Sequence, residues 1–253
     1  MPDLHALCCG RLAFDRSVFF PDAAPGTPTT VPVPGWLIRH PKGNLLFDTG
    51  IACDAASDPA GKLGKRIAST YRLAGAIDEN PVDQLALLGL RPDDITWVVN
   101  SHLHFDHCGC NSLFPKATFL VQRAEMLAAQ APGSRYDARL WDLPLNYQLI
   151  DGEHDVFGDG SVLLMPTPGH TAGHQSLMVK VARDSRFVLT ADACYSGEHM
   201  ARELLPNVVW DGPQMLDSMR RLRALGEQSG TRVLYGHDPE QFALLGPATR
   251  ALV

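Results

Sequence analysis

The sequence predicts a layered α/β protein, and three observations predict it. Short apolar runs rich in Val, Leu and aromatics, bounded by Gly and Pro, recur along the 253 residues as buried strands do. Between them lie segments with helical spacing and helix-start signals. Four of the runs lead directly into His, Asn or Asp, so polar groups gather past the C-terminal ends of strands. In layered α/β folds that edge is where sites are built.

Taken in order, Pro21 to Pro34 is rich in Pro, Thr and Gly and reads as a loop between early strands. Pro41-Lys42-Gly43-Asn44 reads as a hairpin turn joining Trp36-Leu37-Ile38 to Leu45-Leu46-Phe47. Asn80-Pro81 supplies an N-cap and a proline at the first helical position, and Leu85 and Leu88 give that helix its apolar face. Ile95-Thr96-Trp97-Val98-Val99 is a strand that runs into Asn100 and His102. A helix follows Val121, with Met126 and Leu127 expected inward. Val162-Leu163-Leu164-Met165 leads through Pro166-Thr167-Pro168-Gly169 to His170, and Phe187-Val188-Leu189-Thr190-Ala191 leads to Asp192. A helix begins near Pro213, where Leu216, Met219, Leu222 and Leu225 recur at three-residue steps, as on a face packed against a sheet. Arg232-Val233-Leu234-Tyr235-Gly236 leads to His237, and Asp238-Pro239-Glu240-Gln241 reads as a capping box for the last helix.

Composition narrows the function. A hydrophobic fraction of 45% with 20% charged residues is ordinary for a water-soluble globular chain, and the length suits one domain over residues 1–253. The net charge of -6, without any block of like charges, argues against nucleic acid, which needs a basic footprint. No apolar run reaches the ~20 residues of a membrane span, and Met1-Pro2-Asp3-Leu4-His5 lacks a secretory signal, so a cytoplasmic location is expected. The six cysteines, Cys8, Cys9, Cys53, Cys108, Cys110 and Cys194, are expected as reduced thiols.

The chemistry concentrates in Ser101-His102-Leu103-His104-Phe105-Asp106-His107. Imidazole nitrogens and carboxylate oxygens are what zinc and similar divalent metals take. On a helix His102 and His104 would point to opposite sides, but in an extended loop both can face one ion. With His170, Asp192 and His237 at other strand ends, the set suits two ions. His102, His104 and His170 would hold one; Asp106, His107 and His237 the other. Asp192 has two carboxylate oxygens and could bridge them, leaving room for a shared hydroxide.

This ligand set resembles that of the metallo-β-lactamase superfamily, over nearly the whole chain from Leu45-Leu46-Phe47-Asp48-Thr49-Gly50 to Gly236-His237-Asp238. The resemblance implies an αββα sandwich of two mixed β-sheets flanked by helices. Within the superfamily the chain is most similar to the N-acyl homoserine lactone lactonases. Tyr195, three residues after Asp192, stands where those enzymes place a tyrosine on the substrate carbonyl. Pro168-Gly169-His170-Thr171-Ala172-Gly173-His174-Gln175-Ser176 and Gly236-His237-Asp238-Pro239-Glu240-Gln241 resemble their ligand segments. The implied function is opening of an acyl homoserine lactone ring, and hence quorum quenching, by hydroxide between two metals. Tyr195 would help stabilise the oxyanion and Asp106 would pass a proton to the leaving alkoxide. Zinc is expected, with iron, manganese or cobalt as alternatives. The partner is a small lactone, and the chain is expected as a monomer or homodimer.

Two segments depart from those lactonases. Cys108-Gly109-Cys110 replaces small residues, and Gly61 to Arg72 carries Lys62, Lys65, Arg66 and Arg72 near the substrate mouth. The buried small apolar role is expected for Cys108, Cys110 and Cys194, since the ligand set is full without a thiolate. Asp48 is expected to accept a ligand histidine N–H. His174 would either orient the His170 loop or make a structural hydrogen bond. His5, His40, His154 and His199 show no ligand context. An acyl groove could be built from Phe14, Phe19, Phe20 and Phe105 with the segment around Trp141, Leu143 and Tyr147. The main rival is a glyoxalase II-like thioesterase. It would need a basic C-terminal extension, whereas sixteen residues follow His237. A non-catalytic metal-binding module would not need Tyr195.

Overall fold

The computed structural model describes residues 1–253. The first part of the chain forms a seven-stranded sheet from β1 (Asp3–Asp15), β2 (Pro28–His40), β3 (Gly43–Phe47), β4 (Arg72–Leu73), β5 (Ile95–Val99), β6 (Thr118–Gln122) and β7 (Asn146–Ile150), in the order β4-β1-β2-β3-β5-β6-β7. The rest forms a five-stranded sheet from β8 (His154–Asp155), β9 (Val162–Pro166), β10 (Gln175–Ala182), β11 (Ser185–Leu189) and β12 (Thr231–Leu234), in the order β12-β11-β10-β9-β8. Both sheets are mixed: β3, β5, β6 and β7 run parallel, as do β11 and β12, and the other pairs are antiparallel. The helices are α1 (Pro59–Leu63), α2 (Lys65–Thr70), α3 (Pro81–Ala86), α4 (Arg123–Gln130), α5 (Ala138–Trp141), α6 (Gly197–Arg202), α7 (Gly212–Gly226) and α8 (Pro239–Leu245). None is long and apolar enough to cross a membrane.

The strand period of two sorts the core into layers. Phe47, Val99 and Leu120 of the first sheet meet Leu177, Phe187 and Leu189 of the second between the sheets. Their neighbours Leu46, Val98 and Phe119 face the other way, with Leu85 of α3. Val188 likewise turns outward, onto Met219 and Leu222 of α7. The expected αββα sandwich is therefore present, with a helix layer outside each sheet. Asn80 caps α3 by accepting from the Asp83 N–H at 3.0 Å, and the Pro41-Lys42 turn joins β2 to β3 as expected.

Four local expectations need correction. Pro28 to Pro34 is not loop but the first half of β2. There β2 pairs with β1 alone, because β3 begins its pairing at Trp36, so the prolines leave no donor missing from a second neighbour. Leu127 is exposed, and the buried face of α4 is Glu125, Met126 and Ala129. On α7 the buried face is Met215, Ser218, Met219 and Leu222, and Leu216 and Leu225 flank it half-buried. Only half of the final capping box forms: Asp238 accepts from the Gln241 N–H, while the Gln241 side chain turns away to the Tyr235 N–H and Val233 carbonyl.

The loop between β9 and β10, which carries His170, is pressed onto α7. Gly169 has φ 134°, and a Cβ there would lie 2.2 Å from the Met215 nitrogen. Gly169→Ala should therefore lower stability by about 2 kcal/mol or more, read as a shift of the urea midpoint. An unchanged midpoint would show that the loop is free to move off the helix.

Candidate metal centre

Each ligand segment leaves a sheet at the same end. The segment after β5 brings His102, His104, Asp106 and His107; the loops after β9, β11 and β12 bring His170, Asp192 and His237. Two residues in left-handed backbone make the turns. Asp48 (φ 63°) ends β3, and Ala191 (φ 44°) begins the single 3-10 turn that carries Asp192. Such strain persists only where the surroundings fix it, and it gathers at functional sites.

The side chains converge as two triads. His104 Nδ1 lies 2.9 Å from His102 Nε2 and 3.0 Å from His170 Nε2. Asp106 Oδ2 lies 3.8 Å from both His107 Nε2 and His237 Nε2. Asp192 stands between the triads. Its Oδ1 is 3.1 Å from His107 Nε2 and 3.0 Å from His237 Nε2, and its Oδ2 is 3.2 Å from His170 Nε2. Each carboxylate oxygen thus serves one triad, and all seven predicted ligands come together.

The surroundings fix which nitrogen four of the five rings present; His104 alone turns Nδ1 inward. His107 Nδ1 donates to Asp48 Oδ2 at 2.8 Å, His237 Nδ1 to the Pro32 carbonyl at 2.8 Å, and His170 Nδ1 to the Val208 carbonyl at 3.0 Å. His102 Nδ1 lies 3.0 Å from Ser101 Oγ, which donates to Asp48 Oδ2. With Nδ1 engaged, Nε2 keeps its lone pair for the centre. Asp48 does what the sequence suggested. His174 ties the His170 loop to Asp192: its Nδ1 meets Thr167 Oγ1 at 2.9 Å and its carbonyl accepts from the Thr167 N–H, both within that loop, while its Nε2 accepts from the Asp192 N–H at 3.1 Å.

The fit to a metal can be tested on the polar atoms themselves. His107 Nε2, His237 Nε2 and Asp192 Oδ1 are buried and have no hydrogen-bond partner, and the carboxylate oxygen lies 3.1 and 3.0 Å from the two nitrogens. Three orphaned donors or acceptors in one spot are what a cation would satisfy, and the donor set is what zinc-class ions take. The electrostatics agree. Burial, then the neighbouring imidazoles, hold His102 well below the ordinary histidine range, and burial takes His104 to about 4. Burial also opposes charge on His107, but Asp192, Asp106 and Asp48 outweigh it and push that ring well above its ordinary value. Protons and metal therefore compete for the same nitrogens.

Above the centre opens a cavity of about 490 Å³ that reaches His104, Asp106, His170 and Asp192. Phe19, Phe105, Leu63 of α1, and Ile67 and Tyr71 give it an apolar wall; Lys65, Arg66 and Arg135 lie at the rim. Tyr195 lines it too, its hydroxyl 3.4 Å from His170 Nδ1. Burial, then Asp192, keeps that hydroxyl protonated. Of the residues suggested for an acyl groove, Phe14 packs behind Phe19, Phe20 packs on His199, and Trp141 is core beside Tyr147; none of these, nor Leu143, lines the cavity. Of the four basic residues expected near the mouth, Lys65 and Arg66 line it, because α1 and α2 fold over it; Lys62 pairs instead with Asp54, and Arg72 lies in β4, away from the cavity.

One supporting residue escaped the sequence. Glu125 is fully buried; its Oε1 accepts from the Leu103 N–H (3.0 Å), and its Oε2 from Thr171 Oγ1 (2.7 Å) and the Gly173 N–H (3.0 Å). It joins the loop of His102 and His104 to the loop of His170. Nothing marks it in the sequence, where a Glu early in a helix is an ordinary N-terminal charge.

Comparison with known proteins gives one family. The model for the metallo-beta-lactamase superfamily matches residues 28–237. The N-acyl homoserine lactonase AttM of Azorhizobium caulinodans is 38% identical over 224 residues, 85% of each chain. The N-acyl homoserine lactonase AiiA of Bacillus thuringiensis subsp. kurstaki is 32% identical over 238 residues, 94% of each chain. A solved N-acyl homoserine lactone hydrolase with the product N-hexanoyl-L-homoserine at its catalytic metal centre superposes with a TM-score of 0.88 at 31% identity, covering 99% of this chain and 98% of that one.

Two outcomes are expected. Metal analysis should find two divalent ions per chain and about one in His104→Ala; two in both would detach His104 from the centre. Burial takes His174 down to about 3 from 6.5, so the unfolded chain binds its proton first as pH falls. Stability of the metal-free protein should then fall with pH from about 6.5 towards 3, and His174→Gln should flatten that slope in urea titrations. Equal slopes would mean that His174 is not held neutral.

Proposed function

The chain belongs to the metallo-β-lactamase superfamily, and within it we propose a metal-dependent hydrolase that opens the ring of N-acyl homoserine lactones, a quorum-quenching activity. The observation that carries this reading is the pair of triads shared across Asp192, with Tyr195 beside them at the foot of a half-apolar cavity. His102, His104 and His170 would hold one ion, Asp106, His107 and His237 the other, and Asp192 both. Zinc suits this nitrogen-rich set. When bound, such ions polarise an ester carbonyl and make water acidic enough to supply a nucleophile at neutral pH.

The chain's own groups do the rest. Phe19 and Leu63, both buried, and the half-buried Ile67 and Phe105 offer an apolar wall to an acyl chain and leave little room for water beside the reacting ester. Tyr195, held protonated, donates its O–H to the lactone carbonyl oxygen as negative charge grows there. The acyl C–O bond of the ring breaks, and Asp106, at the cavity floor, delivers a proton to the departing alkoxide. Water is added across the bond, giving a carboxylate and a free hydroxyl. His174 and Glu125 hold the ligand segments in place.

Lys65 and Arg66 at the rim support one second reading, cleavage of a thioester whose leaving group carries carboxylates. The metal-loaded protein should open hexanoyl and longer acyl homoserine lactones, measured by proton release, and lose this on chelation. Tyr195→Phe should lose about 10- to 1000-fold in kcat, and Asp106→Asn should abolish turnover. Fast hydrolysis of S-lactoylglutathione with no lactone opening would replace the lactonase with the thioesterase.

A further inference from the structure

Cys108-Gly109-Cys110 is not used by the centre it adjoins, yet it is held in a definite place. Gly50 and Cys108 form a parallel bridge, and the Gly109 N–H donates to the Gly50 carbonyl at 2.9 Å. A Cβ at 109 would lie 2.4 Å from the Ala52 nitrogen, so only glycine lets the two backbones touch. This contact lays Cys110 against Cys53. Their sulfurs are 2.8 Å apart, and Cys110 Sγ is 3.0 Å from the Ile51 carbonyl.

The two thiols differ in access. Cys110 is buried, whereas Cys53 is the one exposed cysteine of the six and lines a surface cavity of about 190 Å³ with Gly10, Ile51 and Ala56. The hydrogen bond from Cys110 lowers the Cys53 thiol below its ordinary value, against burial. Burial pushes Cys8 up to about 12 and Cys9, Cys108 and Cys194 well above the usual range, and the hydrogen bond with Cys53, then burial, does the same to Cys110. Reactivity follows thiolate character and access together.

We propose that Cys53 and Cys110 are a redox-active dithiol that closes to a disulfide under hydrogen peroxide. Cys53 sulfur attacks one peroxide oxygen; the O–O bond breaks, Cys53 becomes a sulfenic acid, and the other oxygen leaves as water. Cys110 sulfur then attacks Cys53 sulfur, the S–O bond breaks, and a second water leaves with the remaining thiol proton. Two thiols are oxidised by two electrons and one peroxide is reduced to two waters. Closing to a bond of about 2.0 Å needs less than an ångström of movement. The bond would tie the segment bearing His104, Asp106 and His107 to the one bearing Asp48.

The test is peroxide titration of the metal-loaded protein, with thiols counted after denaturation and peptides mapped by mass spectrometry. Two of the six thiols should disappear together, with a Cys53–Cys110 linked peptide that dithiothreitol cleaves. Cys53→Ser should lose neither at the same dose while keeping its lactone turnover. Cys110→Ala should stop at the sulfenic acid and be trapped by dimedone on Cys53. No thiol loss, over-oxidation of Cys53 alone in the wild type, a different linked pair, or the same loss in Cys53→Ser would each overturn the proposal.

Discussion

Two carboxylates and four imidazoles are buried together, with the half-buried His104 beside them, at the joint between the sheets, and most of the structure serves to make that tolerable. An isolated buried charge costs several kcal/mol, so it must be paired, neutralised or metal-bound. The chain pairs what it can. Asp48 takes His107 and Ser101, backbone carbonyls take His170 and His237, and His174 takes the Asp192 N–H. What is left over, His107 Nε2, His237 Nε2 and Asp192 Oδ1, points to one place.

Each triad draws on both sheets. His102 and His104 follow β5 in the first sheet, and His170 follows β9 in the second; Asp106 and His107 pair with His237 across the same joint. The supporting bonds cross as well. The Pro32 carbonyl belongs to β2 yet orients His237 beyond β12, and Glu125 joins the two loops from α4. The centre is therefore a joint between layers, and its geometry depends on how the sheets pack.

Much of this was legible in the sequence for a physical reason. Metal ligation needs unusual residue types close together, and the His102 to His107 cluster has no structural purpose that explains it. Runs such as Leu45-Leu46-Phe47 announce themselves because a strand buried on both faces is apolar throughout. What was not legible depends on context. Pro28 to Pro34 looks like loop unless one knows that β2 lacks a second neighbour there. Glu125 looks like a surface charge, and only the fold sets it beneath two loops. Leu127 has the right type but the wrong side of a short helix. The aromatics of a cavity wall cannot be told from those of a core, so the sequence offers Phe14 and Trp141 as readily as Phe19 and Phe105, of which only the last two line the cavity.

The helices α1 and α2 form the mouth of the cavity but lend no ligand to the centre beneath it. They are an excursion between β3 and β4, short, largely exposed at the surface, and connected at both ends through turns. Lys65 could be exchanged for an apolar residue without touching a ligand, whereas the charge of Arg66 also helps to hold His104 below its ordinary value. Arg66 aside, the part of the wall from Leu63 to Tyr71 can thus change apart from the reaction, while Phe105, set between His104 and Asp106, binds the rest of the wall to it.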